Sequence, residues 1–311
     1  MRTKQRFGIG LVIAILGTGF AQTGAAQQPG QQPLGRPQAE NVGVQIQCPW
    51  ELPLTAQHEK YRDEVLKYWE YRSGEANLTT FRCRFIRWEY DPVFGPPDPN
   101  IAKTESSGEL QYAAPDKGLF KVNEIRHYTP PREPGAQPTY AVRQGDLGEH
   151  WVTDGVSIFQ FEHRKQQLIE TKLPPEMQGK GIVDGPLPFM FGANAEKLKQ
   201  RYWIRVITPE QASEEYWLQV APKFQEDYAQ FRTAEIILAE KDFLPKAVQL
   251  HHARSRTVFE LTERHINERN LLDAINLFKR EFHEPALPRG WQKVVENLDA
   301  VPADPRQARR E

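Results

Sequence analysis

The sequence predicts a mainly antiparallel β fold with a few helices packed on one side of the sheet. About ten short segments are rich in β-forming residues, follow a period of two and are joined by short connections. Only two stretches have a helical period, and no long helix separates one strand from the next, which argues against a parallel sheet of βαβ units. With 311 residues, the chain is long enough to bury a sizeable core.

The first element of the folded unit is an amphipathic helix over residues 55–74. Tyr61, Val65 and Tyr68 recur at spacings of four and three, which places them on one helical face. Gly74 is a stop signal for this helix.

The predicted strands follow the helix in two groups. The first group comprises residues 81–90, 108–114, 118–125, 149–153, 156–162 and 167–173. The second group comprises residues 202–207, 215–221, 234–240, 246–252 and 257–263, and residues 287–298 close the domain. Asp154 and Gly155 form a dipeptide that is typical of a tight hairpin, so the strands on either side of it are expected to pair.

Residues 174–192 interrupt the strands, and a short helix is predicted over residues 194–201. The interruption contains the apolar sequence PLPFMFG at residues 186–192. An exposed loop rarely keeps three large apolar side chains together. Phe189, Met190 and Phe191 therefore either cap the core or line a hollow for a ligand.

Some predicted strands carry apolar residues on both faces. In the strand over residues 156–162, Val156 and Ile158 lie opposite Phe159 and Phe161. A half-buried strand would alternate between apolar and polar residues. This pattern indicates either a curved sheet that encloses an apolar hollow or an ordinary thick core.

The two ends of the chain have compositions that differ from the middle. Three basic residues, an apolar run over residues 7–20 and small residues up to Ala26 predict a signal peptide at residues 1–26. The apolar run is shorter than the roughly 20 residues that span a bilayer. Residues 27–46, rich in Gln, Pro and Gly, are expected to form a disordered linker. One domain over residues 47–298 and a polar tail over residues 299–311 complete the chain.

Charge and cysteine content narrow the classes of function. The chain has 40 basic and 41 acidic side chains, a balance that argues against nucleic acid as a partner. Cleavage near Ala26 would leave a soluble protein in the periplasm or outside the cell. In that oxidising environment Cys48 and Cys83 form either a disulfide or two buried free thiols.

The sequence lacks a pattern that would indicate catalysis or metal binding. His251 and His252 are adjacent in a predicted strand, so their side chains point to opposite faces. The other histidines have no metal-ligand spacing, and neither a nucleophile elbow nor a phosphate-binding glycine loop is present. We therefore expect no metal, no cofactor and no enzymatic activity. A hydrolase would need an acid, a base and a nucleophile clustered in one cavity.

Short landmarks follow one another along residues 55–294. They are Phe81 and Phe85; Gly108, Leu110 and Pro115; Val152, Thr153, Asp154, Gly155, Ile158, Phe159 and Phe161; Pro188, Phe189, Met190 and Phe191; Pro222 and Lys223; Asn276 to Phe278; and Pro288, Arg289 and Gly290. Their order resembles that of the outer-membrane lipoprotein carriers of the bacterial periplasm, which have the LolA-like fold. The chain is still more similar to secreted planctomycete proteins of this fold.

The resemblance implies a strongly curved half-barrel of about 10–11 strands, with the N-terminal helix and short lid helices on one side of an apolar cavity. The candidate ligand-binding residues are Phe189, Met190 and Phe191 in the lid and, in the cavity wall, Phe81, Phe85, Trp88, Trp151, Ile158, Phe159 and Phe161. True carriers place an arginine directly before the proline of the second strand, where this chain has Ala114. Transfer of a cargo is therefore left open.

Two functions follow as expectations. The first is a non-enzymatic carrier that holds lipid or the acyl chains of lipoproteins in its apolar cavity. The alternative is an envelope sensor domain of the same fold, which would bind a membrane protein of the envelope and transfer no cargo.

Overall fold

A computed structural model describes residues 45–50, 54–74, 76–131, 133, 137–175, 178, 189, 194–268 and 282–297. The predicted signal peptide, most of the predicted linker, the predicted tail, Met190 and Phe191 lie outside these residues. None of the described helices is both long enough and apolar enough to cross a membrane.

Both predicted helices are confirmed. α1 spans Ala56–Ser73 and α2 spans Ala195–Arg201, and a short α3 spans Gln225–Tyr228. The Thr55 hydroxyl caps α1 by accepting a hydrogen bond from the backbone N–H of His58 at 3.2 Å. At the other end, the backbone N–H of Gly74 donates to the carbonyl of Glu70, where the sequence predicts the stop.

The described residues contain thirteen strands of one sheet. They are β1 (Thr80–Tyr90), β2 (Thr104–Ala113), β3 (Lys117–Thr129), β4 (Thr139–Val142), β5 (His150–Thr153), β6 (Ser157–Glu162), β7 (Gln167–Lys172), β8 (Tyr202–Val206), β9 (Glu215–Pro222), β10 (Thr233–Ala239), β11 (Pro245–His251), β12 (Arg256–Ile266) and β13 (Gln292–Asn297). This number exceeds the predicted 10–11 in part because β4 is a four-residue strand without buried residues, which gives little signal in the sequence.

The strand order is β13-β7-β6-β5-β3-β2-β1-β12-β11-β10-β9-β8, with β4 paired to β3. Every pair is antiparallel except β13 with β7, which is parallel. Among the described residues, β13 and β8 lie at opposite ends of the order, so the sheet is an open half-barrel. The predicted fold class, mainly antiparallel β with helices, is confirmed.

One face of the sheet carries the main core, and we call it the core face and the opposite one the outer face. β1 alternates strictly, with Phe81, Cys83 and Phe85 buried in the core. Helix α1 covers this face with Leu66 and Trp69, which are almost fully buried in the same cluster. Burial of these side chains against the sheet is what stabilises α1.

The outer face carries a second, smaller apolar cluster at the β5–β6–β7–β13 end. Val152, Phe159 and Leu168 are buried there, and the ammonium of Lys293 in β13 lies 5.9 Å from the centre of the Phe159 ring. Lys293 also forms an ion pair with Glu170 at 2.8 Å. Packing on the outer face thus explains the buried Phe159, whereas Val156, just before β6, is 52% exposed.

Cys48 and Cys83 are two free thiols, so the disulfide that the sequence permits is not formed. Cys83 points into the core from β1, and burial raises the pKa of its thiol to about 12.

Candidate functional site

A cavity of about 280 Å³ lies where the N-terminal segment meets α1, α2 and β8. It is lined by Trp50, Leu54, Glu59, Arg62, Lys199, Tyr202, Trp203, Ile204 and Lys223. Aromatic and aliphatic side chains therefore form its walls, and four charged side chains border it. Sites for small ligands commonly combine these two features.

The cavity lies at the edge of the sheet because β8 is the last strand in the order. Asn194 caps the start of α2, because its side-chain oxygen accepts from the backbone N–H of Lys197 at 2.9 Å. The helix leads directly into β8. Alternation along β8 buries Tyr202 and Ile204 in the core and places Trp203 on the outer face. The cavity thus touches both faces of this strand.

Hydrogen bonds attach the N-terminal segment to this edge. The backbone N–H of Ile46 donates to the carbonyl of Lys223 at 2.7 Å, and the Trp203 indole N–H donates to the carbonyl of Ile46 at 3.4 Å. The Arg205 guanidinium lies 4.8 Å from the centre of the Trp50 ring. These contacts bring Trp50 to the same cavity as Trp203, although 153 positions separate them in the sequence.

Two of the cations at the cavity are neutralised by carboxylates. Asp63 accepts from Arg62 at 2.8 Å and from Lys199 at 3.3 Å, and Lys199 also pairs with Glu196 at 2.9 Å. Burial alone would raise the pKa of Asp63, but its hydrogen bonds with Arg62 and Lys199 lower it below the ordinary value. The hydrogen bond with Glu196 is the largest cause of the raised pKa of Lys199.

Phe189 is the one lid candidate among the described residues. It is 3% exposed and packs on Tyr202, with 5.4 Å between ring centres, and on Phe231, with 5.6 Å. Tyr202 also lines the cavity, so Phe189 is separated from the cavity by the Tyr202 side chain. Phe189 is therefore a core residue that contacts Tyr202 and does not itself line the cavity.

The structure divides the predicted cavity-wall residues between the two faces. Phe81, Phe85, Trp151 and Ile158 lie on the core face, whereas Trp88, Phe159 and Phe161 lie on the outer face. No residue of either group lines the cavity at β8. Seven candidates therefore do not form one wall.

On the core face, two of these candidates, Phe85 and Trp151, are tightly packed with neighbouring aromatic rings. Phe85 stacks on Phe120 with 4.8 Å between ring centres, and Phe120 stacks on Trp151 at 5.5 Å. Phe259 contacts Phe85 edge-on at 5.9 Å. These residues act as core.

Sequence reasoning did not identify Trp50, Arg62, Lys199 or Trp203 as site residues. Lys223 entered only as part of a Pro-Lys landmark. The strand at residues 202–207, with its aromatic residues, was predicted. Its position at the edge of the sheet was not, because that position depends on long-range pairing that the local sequence does not encode.

The adjacent residues His251 and His252 are engaged in other contacts. The His252 ring nitrogen is 2.8 Å from the carbonyl oxygen of Gln230, and His251 is 2.9 Å from the side-chain amide of Gln249. Within the described part of the chain, no group of three or more His, Cys, Asp or Glu residues is arranged to hold a metal ion.

The chain was compared with known proteins and structures. Neither a family model nor a curated protein matches the sequence. Solved structures that it resembles include a conserved protein from Thermus thermophilus, with 9% identity, a TM-score of 0.40 and coverage of 76% of this chain and 99% of the other. A LolA superfamily protein from Nitrosomonas europaea has 11% identity, a TM-score of 0.32 and coverage of 75% and 99%.

A third similar structure is that of the MucA/MucB complex of Pseudomonas aeruginosa, with 13% identity, a TM-score of 0.36 and coverage of 68% of this chain and 60% of the other. All three TM-scores are below 0.5. The description of the fold therefore rests on the strand order and helix positions of this chain and not on these similarities.

Proposed function

We propose that this chain is an exported, non-enzymatic binding protein that holds lipid or the acyl chains of a lipoprotein. The observation that carries this proposal is the cavity at the end of β8, whose walls include Trp50, Tyr202 and Trp203. Burial of an acyl chain against such walls yields about 0.8 kcal/mol for each methylene group.

The dimensions of the cavity favour a slender ligand. Its volume of about 280 Å³ is at the lower end of the roughly 300–1,000 Å³ that is usual for small-molecule sites. One acyl chain, or the end of one, fits this space better than a complete diacyl lipid.

Native mass spectrometry of the protein purified from its own cell envelope tests the proposal, together with displacement of a fluorescent fatty acid. We expect a co-purifying lipid and saturable displacement. Trp203→Ala should weaken binding of the fatty acid about tenfold because it removes one wall of the cavity. Trp88→Ala is the matched control, since Trp88 is a half-buried tryptophan on the outer face, outside the cavity lining. Absence of lipid and of displacement would contradict the proposal.

A second function, an envelope sensor domain that binds a membrane protein, is favoured by the exposed surface of α1. Tyr61, Tyr68 and Tyr71 are 43%, 47% and 59% exposed on this helix. Tyrosine is enriched at protein interfaces, where its ring supplies contact area and its hydroxyl a hydrogen bond. A docked partner would bury this tyrosine surface.

Pull-down from the envelope separates the two functions. A stoichiometric membrane protein that is lost in Tyr71→Lys, together with an empty cavity, would favour the sensor. Phe94→Lys is the control, because Phe94 is 78% exposed on a loop away from α1. Lipid in the cavity and no such partner would favour the carrier.

A further inference from the structure

Lys223 differs from the other two cations at the cavity in its partners. Arg62 and Lys199 share the carboxylate of Asp63. No carboxylate of the described residues forms an ion pair with Lys223. Its positive charge is therefore not neutralised within the part of the chain that the structure describes.

The contacts of the Lys223 ammonium leave it able to bind a ligand. It donates one hydrogen bond to the backbone carbonyl of Lys199, at 2.5 Å, and lies 4.4 Å from the centre of the Trp203 ring. An ammonium has three N–H donors, so at least one remains for a group in the cavity. Burial, and then the charge of Arg62, lower the pKa of Lys223, and an anion beside the ammonium would act in the opposite direction by stabilising its charged form.

A purely structural role for Lys223 also has to be considered. The carbonyl that it contacts belongs to Lys199 in the last turn of α2, where a cation stabilises the helix end. This role would use one donor and would not require the lysine to line a cavity with aromatic walls. Loss of a structural lysine would weaken all ligands alike, whereas loss of an anion-binding lysine would weaken only anionic ones.

We propose that Lys223 binds the anionic head group, a carboxylate or a phosphate monoester, of a single-chain amphiphile whose chain lies against Trp50 and Trp203. This inference rests on the proposed function and specifies the class of its ligand. Lysine acts as a point charge without the fixed fork of arginine, so it accepts either kind of oxyanion.

Isothermal titration calorimetry with four probes tests this inference: decanoate, decyl phosphate, 1-decanol and inorganic phosphate. The first three have the same chain and differ in the head group. We expect decanoate and decyl phosphate to bind at least about tenfold more tightly than 1-decanol. Inorganic phosphate separates the sources of the anion: if it competes at millimolar concentration, a free anion suffices, and if it does not, the chain is required. With either result, an anion site at Lys223 is supported when Lys223→Gln removes the preference for the two anionic chains.

Three variants make the test specific. Lys223→Gln should remove the preference for the two anionic chains and leave the affinity for 1-decanol within about twofold. Lys223→Arg should keep the preference, because it keeps the charge. Lys241→Gln is the control, since Lys241 is exposed between β10 and β11. Thermal unfolding of each variant checks that it is folded.

The results that would overturn the inference are distinct from those that would overturn the proposed function. Equal affinities for 1-decanol and the two anionic probes, or an equal loss for all three in Lys223→Gln, would assign Lys223 a structural role only, while chain binding remained. If none of the three chains binds the wild-type protein, the proposed function fails and this inference fails with it.

Discussion

The rings of Phe85 in β1 and Phe120 in β3 stack on each other across β2, with 4.8 Å between their centres and 7° between their planes. Gly108 in β2 makes this contact possible, because it lies directly opposite Phe85 and has no side chain. A Cβ atom at Gly108 would lie 2.1 Å from the carbonyl oxygen of Lys121 and 2.5 Å from the Phe85 ring. Packing in the core therefore requires a glycine at position 108.

Gly108→Ala should lower the free energy of unfolding by about 2–3 kcal/mol, because the new methyl group overlaps backbone as well as the Phe85 ring. Chemical denaturation measures this change. Ser107→Ala, at the exposed neighbouring position, should change stability by less than about 0.5 kcal/mol. Equal stability of the two variants would contradict the packing described here.

The buried Arg87 depends on Glu149 for its charge balance. The Arg87 side chain is 4% exposed on the core face and donates to Glu149 at 2.6 Å. Glu149→Gln should cost about 3 kcal/mol, because the guanidinium cannot lose its charge and its remaining carboxylate partner among the described residues would be the more distant Glu89, at 3.8 Å. Arg87→Met combined with Glu149→Gln should recover part of this loss.

A double-mutant cycle over these two residues measures the interaction. The exposed pair of Arg84 in β1 and Glu263 in β12 is the control and should give less than about 1 kcal/mol. If the two pairs gave the same coupling energy, burial would not be the reason for the effect.

His150 should make stability depend on pH in the acidic range. Its ring stacks on Phe161 with 4.0 Å between ring centres, and burial, together with the charges of Lys121 and His163, lowers its pKa from 6.5 to about 4. The unfolded state therefore takes up a proton before the folded state as pH falls. The free energy of unfolding should decrease between pH 6.5 and about 4.

Because the His150 ring is partly exposed to solvent, we expect its share of this loss to be about 1–2 kcal/mol. Urea unfolding at a series of pH values measures it. His150→Phe keeps the stacked ring and should flatten the pH dependence in part, since burial shifts the pKa of His163 and His251 in the same direction. An unchanged pH profile in this variant would contradict the assignment.

The elements with strong local signals could be predicted from the sequence. The period of α1 with its stop at Gly74 and the Asp-Gly turn of the β5–β6 hairpin are confirmed. In that turn the Asp154 carboxylate accepts from the backbone N–H groups of Val156 and Ser157, and Gly155 has a φ of +90°. Turn chemistry of this kind is local, so the sequence alone encodes it.

Elements that depend on distant partners could not be predicted as well. β2 begins at Thr104, four residues before the predicted start, because its first residues are polar and form a strand by pairing with β1. β13 pairs in parallel with β7, and this pairing has no hairpin signal in the sequence. In both cases tertiary pairing overrides local propensity.

None of the predicted site residues that the structure describes lines the cavity at β8. The alternation of β1 could have shown that Trp88 faces away from Phe81 and Phe85, because adjacent side chains in a strand point to opposite faces. The cavity itself was beyond prediction, since Trp50, Lys199 and Lys223 come together only when β8 takes its place at the end of the sheet. Three points stay predictions: that the protein binds lipid, that its signal peptide is cleaved, and that it is similar to secreted planctomycete proteins.

The most direct test of the central claim, that the cavity at β8 binds an acyl chain, is a crystal structure of the protein with a decanoate that carries a terminal bromine. The account predicts density for the chain in the cavity against Trp50 and Trp203, with the carboxylate about 3 Å from the ammonium of Lys223 and the bromine at the opposite end of the chain. An empty cavity at saturating ligand, or a chain bound only on the outer face, would contradict it.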